Sequence, residues 1–227
     1  MEQDKLSIFS LIYSFLLIFI CAVGLLLFVS QLCIPAWQIF LGIDNPGYCS
    51  ILILFVCPLI SLIKVPIALR FQGHSGSANM LSVFIPMGML MYTYPSVQIN
   101  WSFAHLLPFI MSLILYWVSS YSNSKGSNMY RVSIIIGAFT TVVLLNSILG
   151  NNIRSFLWLA FASQFVPLLI VDLVRTSRSV QNLGIEEEYV LGGTTAHDPL
   201  WVAPSFALFM SYTAHLMFWD FEYPLLG

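Results

Sequence analysis

Charge is what this sequence lacks first: of 227 residues only 8 are Lys or Arg and 10 are Asp or Glu, while 59% are hydrophobic. So few ionised groups cannot clothe a water-soluble globule, and the mean hydropathy of +0.88 makes lipid the natural solvent. The net charge of −2 and the want of any basic stripe exclude nucleic acid and other polyanionic partners. Cysteine is scarce too. Cys21, Cys33, Cys49 and Cys57 have neither metal-ligand spacing nor a disulfide framework, which suits small packing residues. Cys33 and Cys49 share the first connecting loop and could pair if it faces an oxidising side. No stretch alternates convincingly between apolar and polar, which argues against a transmembrane β-barrel. Internal repeats, low-complexity tracts and a soluble domain are missing as well.

What the chain has instead is long apolar blocks, each near the roughly 20 residues an α-helix needs to span hydrocarbon. Seven emerge, at about 6–30, 49–69, 78–94, 105–121, 132–149, 155–174 and 200–219. The first has too long an apolar core for a signal peptide and no small-x-small cleavage site after it, so it is expected to be a retained anchor. Punctuated loops such as Asp44-Asn45-Pro46-Gly47, Gln72 to Gly76, Ser122 to Gly126 and Gly150-Asn151-Asn152 separate the blocks. Ile34 to Leu41, with Trp37 and Phe40, suits an interfacial segment. The expected fold is all-α, a polytopic transmembrane helix bundle of about seven spans forming one integral membrane domain over residues 1–227. Seven spans put Lys5, Arg70, Lys125, Arg131, Arg175 and Arg178 on one side and only Arg154 on the other. Because Lys and Arg in short loops stay cytoplasmic, the amino terminus is expected inside and the carboxyl terminus outside.

Ionisable groups at membrane depth are costly enough to be candidate functional residues by default. Asp172 lies near the end of the sixth block and Asp198 opens the seventh, so neighbouring antiparallel helices would bring both carboxylates to one depth. Two carboxyls sharing a proton can activate a water and polarise a peptide carbonyl. Pro58, Pro66, Pro86, Pro108, Pro167 and Pro204 would free backbone carbonyls toward a wet cavity, as they do in transporters. Each acid also has a plainer reading. Asp198 before Pro199 has the pattern of a helix N-cap, and Asp172 stands a turn from Arg175 and Arg178. Lys64, inside the second block, competes with Asp198 as partner of Asp172. His74 and His197 lack ligand spacing, so neither a metal nor any other cofactor is expected. His105 and His215 suit interfacial or packing positions, and Glu186-Glu187-Glu188 a solvated patch. Gly192-Gly193 lets the chain turn back toward the membrane and is no phosphate-binding fingerprint.

Three stretches carry a family likeness: Leu59 to Ile67, Asn79 to Pro86, and Val171-Asp172-Leu173 with Gly192 to Asp198. In them the chain resembles the prokaryotic membrane proteins grouped as domain-of-unknown-function family 1614, over about residues 55 to 215. Lys64 stands where that family has Asn, Leu81-Ser82 replaces a glycine pair, and Pro199 replaces a glycine. Both aspartates fall on matching positions, and the likeness implies a prokaryotic cell membrane. More remotely, an Asp in span six and a glycine-rich turn with Asp opening span seven is similar to presenilin and signal-peptide-peptidase type proteases. Their Gly-x-Gly-Asp motif is absent here, since Thr194 to His197 intervene. By analogy, this implies an intramembrane aspartyl protease with Asp172 and Asp198 catalytic and Lys64, His197, Gly192 and Gly193 in support. A small transporter or channel using the same acids, and a non-catalytic assembly subunit, are the alternatives. The expected partners are the lipid bilayer and either a transmembrane-helix substrate or another membrane protein.

Overall fold

The computed structural model describes residues 59–60, 62–71, 74–97, 99–123, 126–129, 131–149, 153–183, 189–192 and 198–218. The first apolar block, the four cysteines, the Ile34 to Leu41 segment and Glu186 to Glu188 lie outside the described residues.

The fold is mostly helical, with two small sheets. The second apolar block, expected to be helical to residue 69, instead ends in strand β1, Lys64–Phe71. Val65 and Ile67 alternate there with Lys64 and Pro66, a period of two that favours an extended chain. Pro66 has no N–H to give, and β1 is an edge strand in the order β1-β2-β5, where that loss is tolerated. Strand β2, His74–Asn79, pairs antiparallel with β1 and parallel with β5, Tyr189–Leu191. Gly76 is needed in β2 because a Cβ there would overlap the Tyr189 ring.

The third block does not start as a helix: residue 79 still belongs to β2. Asn79, fully buried, turns strand into helix by accepting the N–H groups of Leu81 (2.9 Å) and Ser82 (3.2 Å). A π-helical turn, Met80–Phe84, follows, then helix α1, Ile85–Thr93, which carries Pro86 in its first turn. Together they run 14 residues, about 21 Å, short of the hydrocarbon thickness.

The last four blocks are helices as expected: α2, Phe103–Ser119; α3, Arg131–Leu149; α4, Ile153–Leu183; and α5, Pro199–Phe218. A β-hairpin, β3 (Ser120–Asn123) and β4 (Gly126–Met129), joins α2 to α3 where a loop was expected. Helix α4 is the hub, packed on α2, α3 and α5. Its 31 residues reach about 46 Å, and Ser155 through Phe165 are buried on every face, as a helix apolar all round must be. Among the described residues, two segments, Val132–Leu149 and Ile153–Arg178, are long and apolar enough to cross a membrane.

Candidate functional site

Asp198 is the residue just before α5. Its Oδ1 accepts the Leu200 N–H at 2.9 Å, and its carbonyl accepts the N–H groups of Trp201 (3.0 Å) and Val202 (2.9 Å). The N-cap reading of Asp198-Pro199 therefore holds, and one cap bond still leaves the other carboxyl oxygen uncommitted by the cap. Asp172 stands on α4 and its Oδ2 accepts the Gly192 N–H at 3.1 Å. Gly192 can make that bond because it sits at φ +75°, a left-handed conformation that glycine adopts without strain. A Cβ there would also lie 2.8 Å from Ser82 Cβ and 2.9 Å from Val83 Cγ2.

Since α4 packs on α5, both aspartates reach one small cavity of about 30 Å³. Ser120, Met129, Leu168, Val171, Pro199 and Leu200 complete its walls. That volume admits a water molecule and no peptide. The two acids are not equivalent. Burial, and then the charge of Asp172, push the Asp198 carboxyl well above the ordinary carboxylate range, against a smaller pull from the Leu200 amide. Asp172, by contrast, meets the Gly192 N–H with one of its oxygens. Of the two, Asp198 is the one that burial and its neighbour press to keep its proton.

Lys64 does not reach this cavity. It is exposed on β1, not inside a helical second span as expected. Gly193 and His197 lie outside the described residues, and Gly192 is the one member of the expected glycine turn that the geometry ties to an acid. His74 belongs to β2, not a loop, and His215 to α5. His105 Nδ1 accepts the Ser102 N–H at 3.0 Å and so closes the start of α2. Among the described residues no group of three His, Cys, Asp or Glu could hold a metal ion.

Two features escaped the sequence reading. The wall residue Ser120 accepts a hydrogen bond from Arg175 Nε at 3.1 Å, a contact across 55 positions that no local pattern announces. Deeper in the bundle, Gln164 of α4 accepts from the Tyr116 hydroxyl and donates to Ser112 Oγ (2.8 Å), Thr141 Oγ1 (2.5 Å) and the Gly137 carbonyl (3.3 Å). This clamp ties α2, α3 and α4 together with its polar atoms matched. A lone Gln in the apolar run of α4 was the available signal. Along the amino-terminal half of α4 an open crevice of about 630 Å³ is walled almost wholly by apolar groups, among them Met91, Tyr94, Trp101, Phe109 and Trp158. Comparison with family models, curated proteins and solved structures gave no match.

Proposed function

We propose that the chain is a multi-pass integral membrane protein that hydrolyses peptide bonds with the Asp172 and Asp198 pair. The observation that carries this reading is the shared cavity: two acids, Asp198 among them pressed to keep its proton, around a space the size of a water. In the step envisaged, ionised Asp172 takes a proton from the water as its oxygen bonds to the peptide carbonyl carbon, while Asp198 gives its proton to the carbonyl oxygen. As the gem-diol collapses, one of its hydroxyls returns a proton to Asp198 and becomes the acid's carbonyl, the C–N bond breaks, and the proton gained by Asp172 leaves with the amine. A substrate must part the walls, and an unwound transmembrane segment is the class proposed. Seven crossings with the amino terminus inside complete the reading, supported by the bias of Lys and Arg to one side; the third, only 14 helical residues, would need local thinning of the bilayer.

The test is cleavage of a reporter transmembrane helix co-reconstituted in liposomes. Wild type should cut, and Asp172→Asn and Asp198→Asn should each lose at least about a hundredfold in rate. Gly192→Ala, which has no room for its methyl group, should also lose activity by removing the amide from Asp172. Equal cleavage by the Asn variants, or none by wild type, ends the proposal.

One observation favours a non-catalytic scaffold instead: each acid already holds a backbone N–H, a task needing no chemistry. On that reading the same variants lose stability alone. Ion transport draws less support, because Lys64, weighed against Asp198 as partner of Asp172, is not among the residues lining the acids' cavity.

A further inference from the structure

Where α2 ends, two guanidinium groups meet one indole. The Cζ of Arg175 lies 4.8 Å, and that of Arg178 5.2 Å, from the centroid of the Trp117 ring. Arg175 is held from below: besides its bond to Ser120, its Nη2 donates to the Trp117 carbonyl at 2.8 Å. Arg178 is exposed, and among the described residues the indole is its only partner. Its guanidinium donors are thus open to a ligand, with a second positive charge alongside.

The surface leading to these cations is apolar. Ile110, Met111, Ile114, Trp117 and Val118 recur at helical spacing on α2, and the last is 77% exposed. From Ile110 to Val118 the stripe runs about 12 Å along the helix axis. Tyr121, also exposed, follows at the head of β3. A greasy stripe ending in an indole, a phenol ring and two guanidiniums matches one kind of molecule in both shape and charge. The stripe suits acyl chains, the aromatic rings sit at headgroup level, and Arg presents a fork to phosphate oxygens.

We infer that the Trp117, Arg175 and Arg178 platform binds the phosphate of an anionic phospholipid, whose acyl chains lie along the exposed face of α2. The inference stands apart from peptide hydrolysis and needs only that α2 faces lipid. Arg178 is the residue to test, because Arg175 is shared with the wall of the acid cavity.

The experiment titrates the full-length protein in detergent with short-chain phosphatidylglycerol, short-chain phosphatidylcholine or inorganic phosphate, reading the thermal midpoint. Phosphatidylglycerol should raise it saturably and the other two should not. Arg178→Gln should weaken the apparent affinity about fivefold, and Arg178→Lys less, with the unliganded midpoint lowered only by the loss of one exposed cation–π contact. A shift of equal size from phosphatidylcholine would assign the effect to acyl chains alone, and one from inorganic phosphate to a free-anion site. Either result, or an unaltered response in Arg178→Gln, overturns the inference.

Discussion

At Asp198 two demands meet in one side chain. One oxygen caps α5, and the carboxyl as a whole is pressed by burial and by Asp172 to keep its proton. The sign of the consequence follows from linkage. Across the interval between the ordinary carboxylate pKa and the raised folded value, the native state holds a proton that the unfolded chain has released. Stability is therefore fully present below that interval and is lost as pH rises through it. The thermal midpoint of wild type minus that of Asp198→Asn should accordingly fall as pH increases from about 4 upward. A flat difference would mean that Asp198 is ionised in the native protein. Sequence order alone could name Asp198 as a cap, since Pro199 and the apolar run mark where a helix starts. It could not weigh the proton affinity, which depends on a neighbour 26 positions away.

Among the elements, α2, α3, α4 and α5 were legible because hydropathy and length agree over whole blocks. The strands were not, because apolar runs of a few residues fit strand and buried helix alike. β1 arises from pairing: Val65 faces Ala78 and Pro66 faces Ser77, partners that exist only once β2 has folded back. The clamp around Gln164 is the inter-element contact most open to measurement. Tyr116→Phe should cost about 1 kcal/mol in a detergent unfolding assay, the scale of one hydrogen bond between membrane helices. Gln164→Leu should cost up to about 3 kcal/mol, since it strands the Tyr116 hydroxyl along with the donors' other partners. A double-mutant cycle should give strongly coupled effects, and additive ones would show that Tyr116 and Gln164 do not act as a unit. Gly137 belongs to the same device, for a Cβ there would come within 2.6 Å of the Tyr116 hydroxyl oxygen.

For the whole molecule, the expected arrangement predicts which ends of α4 face which compartment. In a background with the four cysteines replaced by Ser, Arg154→Cys should react with an impermeant maleimide added outside intact cells, and Arg178→Cys only after lysis. Labelling of both from outside would overturn an inside amino terminus. Hydropathy by itself determined how apolar this chain is and where its last four helices run, because both are additive properties of consecutive residues. It also singled out two aspartates, since acids are rare in such blocks. Only the tertiary structure decided that Asp172 and Asp198 share a cavity while Lys64 stands outside it, that Gly192 hands its N–H to Asp172, and that Arg175 braces Ser120. The physical reason is that pairing, burial and charge coupling fall off within a few ångströms in space, whereas sequence separation says nothing about distance once helices pack.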